Sequence, residues 1–188
     1  MTHPKFDRSK LFIRKLSERK NTLSVEKNMV QVTYNPRHLS QAKKELISKT
    51  AERIVEARKK EKPVIMAFGA HVIKNGLAPV IIELIRKGWI THLATNGAGI
   101  IHDWEFAYLG ETGEDVRNNV AEGKFGIWEE TGFYINLAIV VGAYEGLGYG
   151  ESIGKMISGN GLDIPSADLL RSEAEKFIKA LMKVSPPN

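Results

Sequence analysis

The chain has 188 residues, 43% of them hydrophobic, which suffices for one well-filled α/β core and sets the expectation of a single domain. It has no cysteine, so a disulfide scaffold, cysteine-ligated zinc and a thiol nucleophile are excluded, and the composition suits a reducing cytoplasm. The net charge of +5 sits mainly in residues 5–20 and 58–62, the second cluster without interleaved aromatics and neither with a nucleic-acid-binding signature, so solvated basic faces are expected rather than a nucleic-acid partner.

Residues 1–28 are polar and charged with few apolar anchors, and are expected to form an extended arm that wraps the domain or a neighbouring subunit. They lack the apolar core of a signal peptide, and no window approaches the roughly 20 apolar residues of a membrane span, so a soluble, cytoplasmic chain without a membrane partner is expected. Residues 29–34 alternate like a short edge strand closed by Asn35 and Pro36. Ser40 is placed to cap a helix running to about Lys60, with Leu46, Ile47, Ile54 and Val55 on its inner face.

The most informative stretch is residues 63–104. Val64 to Phe68 form an apolar run that stops at Gly69 and Ala70, and Thr91 to Thr95 form a second run that stops at Asn96, Gly97, Ala98 and Gly99. Between them Leu77, Val80, Ile81, Leu84 and Ile85 recur at helical spacing. Strand, helix, strand over about forty residues is a βαβ unit, whose crossover forces a parallel pair. Both small-residue loops then lie at strand C-termini, where open α/β sheets place ligands. Gly97, Ala98 and Gly99 allow close backbone approach, the first N–H groups of the next helix favour a phosphate or carboxylate, and Asp103 is placed to accept from a ribose hydroxyl. The plainer reading is a tight strand-to-helix turn with Asp103 complementing the helix dipole.

This stretch resembles deoxyhypusine synthase and its homospermidine-synthase relatives. In that family a strand ends in Phe, a short polar loop and a Gly that opens a helix. Phe68, Gly69, Ala70, His71, Val72, Ile73, Lys74, Asn75 and Gly76 keep that layout. A second family strand runs into Thr-Thr-Ala-Gly-Gly, a hydrophobic residue, two acids, an Asp and an aromatic. Residues Thr95, Asn96, Gly97, Ala98, Gly99, Ile100, Ile101, His102, Asp103 and Trp104 fit this frame without a gap. The resemblance implies an α/β fold with a Rossmann-like parallel sheet flanked by helices. It further implies NAD bound at Gly69, Ala70, His71, Thr95, Asn96, Gly97, Ala98, Gly99 and Asp103, and a homo-oligomer. The chemistry it implies is NAD-dependent aminoalkyl transfer, in which an amine is dehydrogenated and an imine carries the alkylamine group to an acceptor, so the expected substrate is a small amine or another nucleotide-linked molecule. Two departures matter: Ile101 and His102 replace the acids that surround a cationic polyamine, and the family's imine-forming lysine motif has no counterpart. The expectation is therefore a fragment of a longer enzyme, or a member that binds dinucleotide without the transfer chemistry. A non-catalytic nucleotide-binding, oligomeric module is the alternative. Lys74, the one lysine within these loops, reads as an exposed residue at a helix start.

Histidines 71 and 102 both follow strand-end loops, so the crossover brings them towards one crevice. Either can merely cap a turn; His102 is also the candidate general base or neutral donor. No third metal ligand is apparent, and no metal site is expected. Beyond Asp103 the chain reads as a helix broken at Gly110, a helix started at Thr112 and Gly113 with Glu114 and Asp115 in its first turn, and a last helix capped by Ser166 and stopped by Pro186 and Pro187. Residues 126–161 admit a buried strand at 135–141 with a phosphate loop at 146–150, or one long helix, a glycine-broken turn and another helix. The glycine spacing misses the dinucleotide fingerprint, which favours the helices. There Glu129, Glu130 and Glu145 read most simply as solvated acids near a helix start and end; if the segment instead faces the strand ends, Glu129 or Glu145 supplies the negative charge lost at Ile101 and His102. Residues Gly150, Glu151, Ser152, Ile153 and Gly154 match a nucleophile elbow, but every histidine precedes Ser152, against the order a serine hydrolase of this type needs.

Overall fold

The computed structural model describes residues 3–5, 7–35 and 38–184, so the expected stops at Pro36, Pro186 and Pro187 lie outside the described residues. The chain is mixed α/β and divides into two compact units, Met1–Phe133 and Tyr134–Asn188. No helix among the described residues is long and apolar enough to cross a membrane.

The first unit begins with two 3₁₀ turns, Arg8–Lys10 and Leu16–Glu18, and continues into strand β1 (Asn21–Ser24) and a single helical turn, α1 (Val25–Asn28). The arm is stitched down rather than free. Arg14 and Glu129 exchange backbone hydrogen bonds with each other's neighbourhood, Arg14 N donating to Ile127 O at 3.0 Å and Glu129 N to Arg14 O at 2.8 Å. Leu16 is 1% exposed, and burying such a side chain contributes about 2 kcal/mol. Residues 29–34 are not the expected strand: Tyr34 N bonds to Gln31 O in a turn, and Val30 N donates to Gly76 O. Gly76 has a φ of +80, and a Cβ there would meet Asn28 O at 2.0 Å, so this close approach needs glycine. Helix α2 (Gln41–Lys59) matches the expected span, but Leu46 and Ile47 are 66% and 55% exposed, so the upper half of its apolar face is not an inner face.

Strand β2 (Ile65–Phe68) and strand β3 (His92–Thr95) form a parallel pair, joined by α3 (Ala70–Lys74) and α4 (Ala78–Arg86). Met66 and Phe68 pack against a core of Ile73, Ile81 and Phe106, whereas Ile65 on the alternate face is exposed. Among the described residues this sheet has only these two strands. Helix α5 (Gly97–Leu109) follows β3 and ends at Gly110, whose left-handed φ of 71 closes the C-cap. The expected helix at Thr112 is instead strand β4 (Glu111–Glu114), antiparallel to β1 with Leu23 opposite Thr112. Four residues leave little room for a helix between the Gly110 turn and the Asp115 N-cap of α6 (Val116–Ala121), and β1 supplies hydrogen-bonding partners that local propensity does not reveal.

Helix α7 (Glu129–Tyr144) starts in the first unit and continues into the second, which also holds α8 (Tyr149–Ser158) and α9 (Ala167–Val184). Residues 135–141 are thus helical, in line with the favoured reading. Ile135, Ala138, Val141, Ile153 and Met156 are buried in this unit. Gly142 is the contact point between α7 and α8: a Cβ there would lie 1.9 Å from Ser152 Oγ.

Candidate functional site

The C-termini of β2 and β3 lie side by side, because Phe68 is the register partner of Thr95. Gly69 caps α3, so Ala70 and His71 open its first turn; Asn96 caps α5, so Gly97, Ala98 and Gly99 open that helix. A Cβ on Gly99 would lie 2.6 Å from Thr95 Oγ1, so the helix sits directly on the strand end and the position requires glycine. At Gly69 a Cβ would meet nothing within 4 Å, which leaves open space beside the end of β2. Asn96 Oδ1 accepts from Gly99 N at 3.1 Å. The Gly97 and Ala98 N–H groups lie in the first turn, where an α-helix offers them no acceptor. His71, Thr95, Asn96, Ala98 and Asp103 are exposed, and loss of hydration nonetheless raises the Asp103 carboxyl above its ordinary range.

One turn into α5, His102 enters a buried polar network. Its Nδ1 lies 2.8 Å from Thr112 Oγ1, and the Thr112 hydroxyl donates in a short bond to Glu105 Oε2. Glu105 Oε1 accepts from Arg19 Nη1 at 2.7 Å and from Thr131 Oγ1 at 3.1 Å. The Arg19 and Glu105 side chains are 3% and 2% exposed, and the guanidinium lies 5.7 Å from the Trp128 ring centroid. Arg19 also donates from Nε to Asn21 Oδ1 at 2.8 Å.

This geometry fixes the state of the imidazole. Glu105, paired with Arg19, is a carboxylate and can only accept, so the single Thr112 proton goes to it. Thr112 Oγ1 can then only accept from His102, which places the ring proton on Nδ1 and leaves Nε2 with a bare lone pair. Among the described residues Nε2 has no hydrogen-bond partner. Burial lowers the His102 pKa below its ordinary 6.5; the Glu105 carboxylate acts the other way, and the Lys74, Arg19 and His71 charges reinforce burial. The arrangement therefore presents a neutral proton and hydrogen-bond acceptor, held by a carboxylate through a hydroxyl.

Of the sequence candidates, the structure brings His71 and Lys74 into the electrostatic neighbourhood of His102. Lys74 is not an exposed residue at a helix start. It ends α3, is half-buried, and its Cε would lie 3.5 Å from a Cβ on Gly113. Arg19, Glu105, Thr112 and Thr131 were not among the candidates, although Glu105 follows His102 by three residues, the spacing that puts two side chains on one helix face. Glu129 and Glu145 are each taken up by a lysine. Glu129 pairs with Lys15 at 2.6 Å, and Glu145 binds Lys155 in the second unit.

Among the described residues no group of three His, Asp or Glu is arranged for a metal. The serine-hydrolase alternative fails on geometry: Ser152 lies inside α8, is 2% exposed, and donates to Gly148 O at 2.8 Å, with a helix rather than a strand before it. For the same reason residues 146–150 are not a phosphate loop after a strand: 146–148 lie in the turn between α7 and α8, and Tyr149 and Gly150 already open α8. The second unit holds a cavity of about 320 Å³ lined by Glu145, Ser152, Lys155 and Asp163, where Lys155 is already bound by both Glu145 oxygens.

No family model matches the chain, and no solved structure matches it. A stretch of 79 residues, 42% of this chain, is 34% identical to an ornithine cyclodeaminase of Methanothermobacter thermautotrophicus. The match spans 19% of that protein's length.

Proposed function

We propose that β2 and β3 belong to a Rossmann-like, deoxyhypusine-synthase-like sheet and that NAD binds across their C-terminal ends to serve the oxidation of an amine. The observation that carries this reading is the register of Phe68 with Thr95, which sets two small-residue loops next to each other at the ends of parallel strands. The first N–H groups of α5, at Gly97 and Ala98, would receive the pyrophosphate. The open space at Gly69 admits the dinucleotide beside the backbone, and exposed Asp103 would accept from a ribose hydroxyl. Held there by Gly97, Ala98 and Asp103, NAD would supply a hydride acceptor for the oxidation of the amine-bearing carbon.

His102 favours an enzyme over a passive binding module, since a neutral imidazole with a fixed tautomer beside the crevice is suited to accept a proton from an amine. The partial likeness to a protein named for the cyclising deamination of ornithine supports amine chemistry in the same way. Calorimetric titration with NAD and with ADP-ribose tests the site. Saturable binding of both is expected, and Gly97→Val should abolish it because a branched side chain would occupy the path of the pyrophosphate. Absence of saturable heat for either ligand at millimolar concentration would refute the dinucleotide reading.

A further inference from the structure

The charges around His102 point to a substrate class that the resemblance does not imply. Apart from Asp103, the carboxylates of this network are already engaged. Glu105 accepts from Arg19, Thr112 and Thr131; Glu114 accepts from Asn119, Gly126 N and Trp128 Nε1; Glu111 accepts from Asn21. Arg19 and Glu105 neutralise each other at 2.7 Å. Asp103 is the remaining acid on this part of α5, and the dinucleotide reading assigns it to a ribose. Lys74 is different: among the described residues it has neither an ion pair nor a hydrogen bond, and its Cε lies 3.5 Å from where a Cβ on Gly113 would be, next to the Thr112 that holds His102 at 2.8 Å. A polyamine has only cations to offer such a site, and the uncompensated Lys74 ammonium repels them.

Building on the NAD-site reading, we propose that the amine substrate is an amino acid, its carboxylate held by Lys74 Nζ and its amine donating to His102 Nε2. An ammonium N–H is a donor and Nε2 is a fixed acceptor, while a carboxylate is a pure acceptor facing a pure donor. The two groups select for a molecule carrying both charges. The replacement of two acids by Ile101 and His102 then reads as a change of substrate, from a polycation to a zwitterion.

The matched probes are ornithine and putrescine, which differ by one carboxylate. Titrated calorimetrically into the full chain, with and without saturating NAD, ornithine should bind about tenfold tighter than putrescine, the size of one charge-assisted hydrogen bond. Lys74→Met should remove that preference, Lys74→Arg should keep it, and ADP-ribose should bind all three proteins equally. Putrescine binding as well as ornithine would overturn the proposal. So would a preference that survives Lys74→Met, or a loss of ADP-ribose affinity in that variant, which would put Lys74 at the phosphates. If ADP-ribose fails to bind the wild type while the ornithine preference holds without NAD, the dinucleotide reading falls and the amino-acid site stands. If Lys74→Met does not fold, loss of the preference in the wild type at ionic strength high enough to screen a half-buried charge supports the proposal, and its persistence there overturns it.

Discussion

Thr112→Val removes one oxygen and keeps the shape of the side chain, so it isolates the bridge between Glu105 and His102. Thr112 is fully buried, and its hydroxyl makes two polar contacts, one to an ionised carboxylate. A hydrogen bond to a charged group contributes about 1.5–3 kcal/mol. Glu105 keeps Arg19 and Thr131 and is not orphaned, whereas the His102 Nδ1–H is left against a methyl group. The expected loss is about 3 kcal/mol in total, or a fall in Tm of roughly 6–12 °C for a chain of this length. All three tryptophans, at positions 89, 104 and 128, lie in the first unit, so fluorescence-monitored urea unfolding reads the unit that contains the change. Long-range ¹⁵N–¹H correlation spectra supply the independent readout: His102 should carry its proton on Nδ1 in the wild type and shift towards the Nε2–H form in the variant. A variant within about 0.5 kcal/mol of wild type, the scatter of an ordinary surface change, with an unaltered His102 tautomer would refute the bridge.

Two further outcomes are expected. Gly142→Ala should destabilise the second unit by about 1–3 kcal/mol, because its Cβ would sit 2.5 Å from Ser152 Cβ and force α7 from α8; thermal melting by circular dichroism measures it, and a Ser152→Gly second change should recover part of the loss. The depressed pKa of His102 also makes stability depend on pH. The unfolded chain binds a proton near pH 6.5 while the folded chain resists it, so stability is full above that pH and falls as pH drops from about 6.5 to the folded pKa. Subtracting the profile of His102→Gln from that of wild type should isolate this component, and identical profiles below pH 6.5 would show that His102 does not titrate as described.

The local crossover was legible because its signals are short-range. Apolar runs, helical spacing and loop glycines between Pro63 and Trp104 gave β2, α4, β3 and the start of α5 to within a residue or two. The break at Gly110 was legible for the same reason, since a left-handed C-cap is the ordinary place for that residue. What followed was not. Glu111 to Glu114 is a strand only because Asn21 to Ser24 lies beside it, and residues ninety positions apart leave no mark on each other's periodicity. His102 was visible as a strand-end histidine, but the partners that set its tautomer were not: Thr112 was assigned to a helix, and Arg19 to a solvated arm. The exposed Leu46 and Ile47 of α2 are the converse case, where an amphipathic pattern correctly marked a helix while the structure leaves part of that pattern uncovered.

The turn at Gly110 separates the network into an early and a late half. Because the chain reverses there, His102, Glu105 and Thr112 come from one short stretch, and the Thr112–Glu105 bond spans only 7 positions. The Arg19–Glu105 pair spans 86, which by loop-closure scaling costs about 2 kcal/mol more entropy to form. A chain with α5 and β4 in place but β1 undocked would hold a carboxylate without its counter-ion. Docking of the arm therefore supplies the counter-ion of Glu105, the carboxylate that accepts from the Thr112 hydroxyl beside His102. The N-terminal segment that leads into β1 thus carries the long-range half of the network around His102.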